Sequence, residues 1–511
     1  MNSVINHNME IKLLILLIYF GILFYIGWWS SKKIKDIKDY YVGGKKLGYW
    51  VVAFSTRATG ESAWLLLGLT GLGAIAGISA FWVVLGEVLG VSIAWMFMAK
   101  KFKRITDQFQ SITIPDYLVS RFNSKSNYLR ILSSIFLSFF IIIYVSAQID
   151  ATGSAFEAFL NWNYFLGAIA GYTIVLFYVI FGGFVAVAWS DLIQGSLMFL
   201  ALCFLPLIGY FFLNNEIPFW QSIANIDPGL ISIWGPGGFN SINIATIIGY
   251  LCIGLAFLGS PQIFVRFMSI KSEQEIEKGK WVAIFFTLIT DSAAVMIGIM
   301  ARYFFTDIGS DVNSILGNNG QNSLILMVEY LLPLAFVGVY MAVVLAAIMS
   351  TVDSLLVLAS SAIVRDIYQK IINPKIHIKN LTGISRFTTF LMASIALLVA
   401  ILVAISTPER TIFWFVLVGF HGIAASFCPT IILSLFWKGF TEKGAIASMI
   451  VGFLGVLFFK FIMPTISWIG IYFDKIAELA PALLLGILTG YLVSKMYPDK
   501  ELENEFNKIN K

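Results

Sequence analysis

The sequence is poor in charged residues and in the residues of common enzyme sites. Only 12% of its 511 residues are charged, whereas soluble domains average about 25%. The three cysteines, at positions 203, 252 and 428, lie in apolar stretches and do not have the spacing of metal ligands. No Ser, Cys or Gly-rich pattern indicates hydrolysis or phosphate binding. We therefore expect neither a soluble domain nor an enzyme, and no organic cofactor.

Long apolar runs are abundant instead, and they recur from residue 11 to residue 495. About 20 apolar helical residues cross the roughly 30 Å hydrocarbon layer, whereas barrel strands have about 10 residues of alternating polarity. The runs therefore predict an all-α, polytopic membrane protein. The first run could be a secretory signal, but its length and the lysines that follow predict a retained span. The thirteen predicted spans are residues 11–30, 49–75, 79–99, 128–158, 163–182, 186–213, 241–267, 281–306, 333–364, 383–406, 411–437, 444–463 and 479–495.

The basic residues predict the orientation in the cell membrane. If the N-terminus is outside, most of the 34 lysines and arginines lie in inner segments, including residues 32–46, 100–130, 271–280 and 495–511. Because basic residues in short loops stay on the cytoplasmic side, we expect an outer N-terminus and a cytoplasmic C-terminus. The basic segments do not exceed this bias, so we expect lipid as the surroundings and no nucleic-acid partner.

Two spans contain residues that suit a continuous helix poorly. They are Thr59 to Ser62 (TGES) in the second span and Gly259 to Gln262 (GSPQ) in the seventh. Gly and Pro favour local unwinding, although both are also common in membrane helices. Breaks five spans apart are typical of two inverted five-helix repeats. We expect one domain, residues 1–511, with core repeats at about 49–213 and 241–437, one extra N-terminal helix and two extra C-terminal helices.

Polar residues inside spans are candidates for function, because a charge at mid-membrane costs at least about 2.5 kcal/mol. Arg57 and Glu61 share a helix face. They either form a structural salt bridge, or Glu61 or the backbone beside it helps to bind a cation. Ser350 and Thr351 offer hydroxyl oxygens that suit sodium, a hard cation, although such hydroxyls often bond their own helix backbone.

Three more residues near these hydroxyls are candidates for an ion path. Ser354 lies one helical turn after Ser350, and Asp353 precedes it. Asp191 lies near the beginning of the sixth span, in Trp189-Ser190-Asp191. A carboxylate close to the hydroxyls would attract a cation and line its exit route, so we expect Asp191, Asp353 and Ser354 to do so.

Six sequence motifs are distributed over nearly the whole chain. They are DYYVGGKKLG from Asp39, SAWLLLG from Ser62, IPDYL from Ile114, FGGFVAVAWSD ending at Asp191, PQIFVRFM from Pro261 and AIMST ending at Thr351. Together with the thirteen spans, they resemble the sodium:solute symporter family, and within it the sodium/proline symporter branch.

This resemblance implies a sodium site and a solute pocket. Sodium would be bound by backbone oxygens of Ala58 and Glu61 from the broken second span, and by Ala347, Ser350 and Thr351 from the ninth. The solute would contact Ser62, Ala63, Trp64, Tyr144, Phe257, Pro261 and Gln262. Nearly all of these residues could equally be part of the packed core.

The chain departs from that branch at several positions. It has Gly60 where the branch has an aspartate, with Glu61 one residue later and about 100° around the helix. Arg57 replaces a small residue, and Ile253 and Phe257 replace a tryptophan and a tyrosine. The proline pocket is therefore only partly reproduced.

The chain also has carboxylates where the branch is uncharged, namely Glu87, Asp150 and Asp291. We expect Asp150 to pair with Arg57. Alternatively, buried carboxyls of this kind exchange protons. His421 could join such a relay or simply bond to a neighbouring helix.

These observations favour a secondary-active symporter that couples inward sodium movement to uptake of a small solute. By the resemblance, the solute is proline or a related amino acid. Two alternatives stay open. One is proton-coupled uptake of another carboxylate or amino acid, and the other is a solute sensor built on the transporter fold.

Overall fold

The computed structural model describes residues 2–34, 36–213, 216–376, 378–409 and 411–509. These residues are helical or form connecting turns, with one isolated β-bridge between Leu47 and Ile270. Eleven helices of this described part are long and apolar enough to cross a membrane. The predicted all-α, polytopic membrane architecture is therefore confirmed.

Thirteen helices, labelled in chain order, carry the predicted spans. They are α1 Asn2–Ser31, α2 Tyr49–Ala63, α3 Phe81–Ile93, α4 Tyr128–Leu160, α5 Tyr164–Phe211, α6 Ser241–Cys252, α7 Pro261–Ser269, α8 Glu273–Phe305, α9 Leu334–Ser361, α10 Ile378–Ser406, α11 Ile412–Phe436, α12 Glu442–Leu457 and α13 Leu479–Met496.

The predicted spans differ from these helices at two places. The spans 163–182 and 186–213 together form α5, which is kinked at Gly183 (φ 54°). The span 241–267 contains both α6 and α7, joined by a 3₁₀ segment, Ile253–Phe257. The α2 helix continues through a π-helical turn, Trp64–Leu69, to Ala76. Hydropathy indicates where the chain crosses lipid, but it does not register bends inside a crossing.

Both predicted helix breaks are confirmed. In α2, Ser62 has φ 50° and ψ −165°, which interrupts the helix. The N–H of Ala63, just after this break, donates to Oε1 of Gln148 on α4 at 3.1 Å. In the seventh span, Gly259 has φ 152°, and Pro261 begins α7, where its missing N–H is not needed. Partner groups from other helices make such breaks tolerable in lipid.

The helices differ in how deeply they are enclosed. In α9 and α11, 83% of the most apolar stretch is buried, compared with 33% in α1 and in α12. The α9 helix packs on α1, α2, α4 and α5. The centre of the protein is therefore formed around α9, α11 and the broken α2, and polar groups there are shielded from lipid.

The 3₁₀ segment approaches α3 closely through small residues, as is common in membrane proteins. A Cβ on Gly254 would collide with the backbone carbonyl of Gly86 and would also lie 3.0 Å from the backbone nitrogen of Glu87. We expect Gly254→Leu to lower the free energy of unfolding by about 1–3 kcal/mol or more, measured by thermal unfolding in detergent. Gly383→Leu is the matched control, because no atom lies within 4 Å of a Cβ there. Equal losses in the two variants would contradict this packing.

Candidate functional site

Two hydroxyls of α9 meet backbone carbonyls of α2. The Ser350 hydroxyl lies 3.0 Å from the carbonyl oxygens of both Ala58 and Ala347. The Thr351 hydroxyl lies 3.2 Å from the carbonyl oxygens of Ala347 and Thr59. All five residues are buried. We call Ala58, Thr59, Ala347, Ser350 and Thr351 the oxygen cluster, and its neutral hard ligands suit an alkali cation.

Glu61, the fifth predicted sodium ligand, is engaged differently. Its carbonyl accepts the backbone N–H of Trp64, and its carboxylate bonds to Arg57. The structure thus brings four of the five predicted ligands into hydrogen-bonding contact, while both polar groups of Glu61 have other partners. The predicted Arg57–Glu61 salt bridge is confirmed.

Asp191 and the hydroxyl side chains around it form a second set of polar contacts beside the oxygen cluster. Oδ2 of Asp191 accepts from the Ser55 hydroxyl at 2.6 Å and lies 3.4 Å from the Thr59 hydroxyl. The Ser354 hydroxyl lies 2.9 Å from that of Thr59 and 2.7 Å from the Ser350 carbonyl. The predicted ion-path residues Asp191 and Ser354 therefore lie next to the cluster, and Asp353 contacts Ser354 at 3.2 Å.

Arg266 of α7 is the cation that balances Asp191, a role that was not predicted from the sequence. Its Nη2 lies 2.9 Å from Oδ2 of Asp191. Its Nε donates to the Ser55 hydroxyl at 2.8 Å, and its Nη1 donates to the Gln262 carbonyl at 2.6 Å. It is only 1% exposed. An arginine in an apolar span was the available signal, because a charge there needs a partner.

The predicted aromatic residues lie against α11. The Trp64 ring is 6.2 Å from that of Phe413, and the Trp64 indole N–H donates to the Gly60 carbonyl at 3.1 Å. The Phe420 ring is 5.9 Å from that of Tyr144 and 5.6 Å from that of Phe257. Trp64, Tyr144, Phe257 and Phe420 are at most 1% exposed. Phe413 and Phe420 were missed, although their spacing of seven places them on one helix face.

Polar atoms without partners lie beside both helix breaks. Gln262 is next to Pro261 at the start of α7, and both its amide atoms are buried without a hydrogen-bond partner. Gln148 uses Oε1 at the α2 break, while its Nε2 has no partner. Because buried polar groups are normally paired, these atoms are suited to bind the polar ends of a small solute.

Two other sequence-based expectations have different outcomes. Asp150, expected to pair with Arg57, instead accepts the Tyr164 hydroxyl at 2.5 Å, while Arg57 bonds to Glu61 and Glu87. The expected pair was therefore wrong, because Tyr164 begins the next helix beside Asp150. His421 lies 2.8 Å from Oε1 of Glu478 at the start of α13, which agrees with a bond to a neighbouring helix.

A sequence model described as the sodium:solute symporter family matches residues 40–452. The osmoregulated proline transporter OpuE of Bacillus subtilis is 32% identical over 491 residues, covering 95% of both chains. The high-affinity proline transporter PutP of the same organism is 31% identical and covers 94% of this chain and 98% of its own. A sodium/proline symporter of Escherichia coli is 31% identical, with 91% and 89% covered.

Solved structures with the same fold include a Na⁺-coupled sialic acid symporter in a substrate-bound, outward-open state. It superposes with a TM-score of 0.76 at 18% identity, covering 96% of this chain and 98% of its own.

Proposed function

This chain belongs to the sodium:solute symporter family, and we propose that the solute it takes up is proline or a closely related amino acid. It is a multi-pass membrane transporter rather than an enzyme, and sodium is its coupling ion. Three relatives named as proline transporters or symporters each match at least 91% of this chain. These relatives support proline as the solute, and the contact of α9 hydroxyls with α2 carbonyls just before the helix break is the observation that carries the sodium site.

Sodium is proposed to bind at the oxygen cluster. Ser350 and Thr351 now contact carbonyl oxygens of Ala58 and Ala347 at 3.0–3.2 Å. An ion between these groups would replace the hydrogen bonds with ion–oxygen contacts, and it needs no charged ligand. The Glu61 carbonyl would join if α2 rotates slightly at Ser62, where the helix is already interrupted. Broken helices at the membrane midplane bind coupling ions in this way.

The solute is proposed to bind between the two helix breaks. Ser62, Ala63 and Trp64 come from the α2 break, and Pro261 and Gln262 from the other. The unpaired Nε2 of Gln148 would donate to the carboxylate of an amino acid, and the unpaired Oε1 of Gln262 would accept from its ammonium. The rings of Tyr144 and Phe257 would cover its apolar side. All these rings are buried, so a conformational change that opens this region must precede solute entry.

Asp191, Asp353 and Ser354 are proposed to line the route by which sodium leaves. Oδ2 of Asp191 bonds to Arg266, so the guanidinium balances the charge of this carboxylate in the present conformation. Movement of α7 away from α5 would separate this pair and expose a carboxylate to the ion. Release would then depend on the conformational change rather than on permanent negative charge.

The arrangement in the membrane is also proposed. Residues 49–213 and 241–437 would be the two inverted repeats, each containing a broken helix, with the N-terminus outside and the C-terminus in the cytoplasm. The concentration of lysine and arginine in alternate loops supports this orientation.

The solute is tested by thermal unfolding of the purified protein with proline in sodium or in potassium buffer. A ligand at 100 times its Kd stabilises the folded state by about 2.7 kcal/mol. We expect proline to raise the melting temperature in sodium and to have little effect in potassium. Glutamate and glucose are the control solutes. Equal stabilisation in both salts, or by the control solutes instead of proline, would contradict the proposal.

A further inference from the structure

Three carboxylates from three different helices meet in the protein interior. They are Glu61 of α2, Glu87 of α3 and Asp291 of α8, and each is 0% exposed. One oxygen from each lies within 4.8 Å of the others. We call these three residues the carboxylate cluster. Since three separate helices converge here, the cluster is a feature of the tertiary structure and not of one local sequence.

The cluster contains three acidic groups and one basic group. Among the described residues, Arg57 is the one cation within ion-pair distance, and its Nη2 contacts both Glu61 and Glu87, the latter at 3.3 Å. One guanidinium balances one ionised carboxylate, so the charge of any further ionised carboxylate must be balanced by a bound cation. Unbalanced charge in the membrane interior costs several kcal/mol for each ion. The cluster therefore has the electrostatics of a site that holds an additional cation.

Unused oxygens in the same cluster point independently to a missing partner. Oε2 of Glu61, Oε1 of Glu87 and Oδ2 of Asp291 are buried and have no hydrogen-bond partner in the described residues. A buried acceptor without a donor or cation costs about 1–3 kcal/mol, and more when it is charged. Each carboxylate thus has one oxygen available as a ligand.

We propose that Glu61, Glu87 and Asp291 bind a second sodium ion, separate from the one at the oxygen cluster. An all-oxygen set of carboxylates suits a hard cation. Sodium is the hard cation that the proposed transport cycle already uses, so we assign sodium to this site. This inference rests on the proposed function, because it adds an ion to the same transport cycle.

The second site adjoins the solute pocket. The Arg57 guanidinium lies 4.9 Å from the centre of the Phe257 ring, and Glu61 immediately precedes Ser62 at the α2 break. An ion in the carboxylate cluster would fix Arg57 and Phe257 on one side of the pocket. The second sodium ion would therefore increase the affinity for the solute, and it would also increase the sodium-gradient energy available for each solute molecule taken up.

The number of bound ions tests this proposal directly. Radioactive ²²Na⁺ binding to the purified full-length protein should give two ions per molecule. Glu87→Gln and Asp291→Asn should each reduce the count to one, and Ser350→Ala with Thr351→Ala should remove the other ion. Glu478→Gln is the matched control, a buried carboxylate elsewhere, and should keep two ions.

The binding counts distinguish failure of the second sodium site from failure of the proposed function. A wild-type count of one ion, or a count of two that Glu87→Gln and Asp291→Asn leave unchanged, would overturn the second site. Displacement of one bound sodium by micromolar calcium would also overturn it. The wild-type count does not depend on whether a variant folds. If the oxygen-cluster variant loses an ion while the wild type binds only one, the proposed function survives and this inference fails.

Discussion

Replacing Ser350 and Thr351 together by alanine is expected to abolish sodium-driven solute uptake. The two hydroxyls provide side-chain oxygens to the oxygen cluster, and a polar contact with a charged partner contributes about 1.5–3 kcal/mol. Loss of both should weaken sodium binding about 100-fold or more. Alanine is a good helix former, so α9 should stay intact. Sodium-dependent uptake and ²²Na⁺ binding in proteoliposomes measure the effect.

A matched control exists on the same helix. The Ser361 hydroxyl is buried and bonds to the Leu358 carbonyl of α9 itself at 2.7 Å. Ser361→Ala should leave sodium affinity within about twofold of wild type, because only a local backbone bond is lost. If the double variant retains wild-type sodium affinity, sodium does not bind at the oxygen cluster.

The second large effect is expected at Arg266. Arg266→Met removes the cation bonded to Asp191 and leaves a carboxylate buried without its ion-pair partner. Breaking one partner of a buried pair typically costs about 3–5 kcal/mol. The apparent melting temperature in detergent should therefore fall strongly. Combining the change with Asp191→Asn should restore much of the stability, since the remaining side chain is neutral.

An exposed ion pair provides the comparison for Arg266. Arg104 bonds to Glu273 at 2.9 Å, with side chains 58% and 34% exposed. Surface pairs contribute about 0–1 kcal/mol, so Arg104→Met should change the melting temperature little. If Arg266→Met is no more destabilising than Arg104→Met, or if Asp191→Asn gives no rescue, Arg266 does not balance Asp191.

Features that depend on local sequence were predicted well. Apolar length predicted the spans, and Gly or Pro within a span predicted the breaks near Ser62 and Gly259. Both signals act within a few residues, so they can be read without knowing which helices are neighbours. The choice of Ser350 and Thr351 needed the family resemblance as well, because many buried hydroxyls have the same local character.

Apart from the contact of α2 with α9 that the family resemblance implied, features that depend on contacts between distant helices were not predicted. Arg266 and Asp191 are 75 residues apart, and no local pattern links them. Asp150 was assigned to Arg57 by charge alone, whereas the start of the next helix supplied its actual partner, Tyr164. Glu87 and Asp291 were noted as unusual carboxylates, but their convergence with Glu61 depends on how α2, α3 and α8 pack.

The account is tested most directly by uptake of labelled proline into proteoliposomes that contain the purified protein. Sodium outside and potassium inside should drive accumulation above the outside concentration, and collapse of the sodium gradient should stop it. The Ser350→Ala, Thr351→Ala variant should show no accumulation. Accumulation driven equally well by an acid-outside gradient in sodium-free buffer, or binding of proline with no net uptake, would contradict sodium-coupled symport at the oxygen cluster.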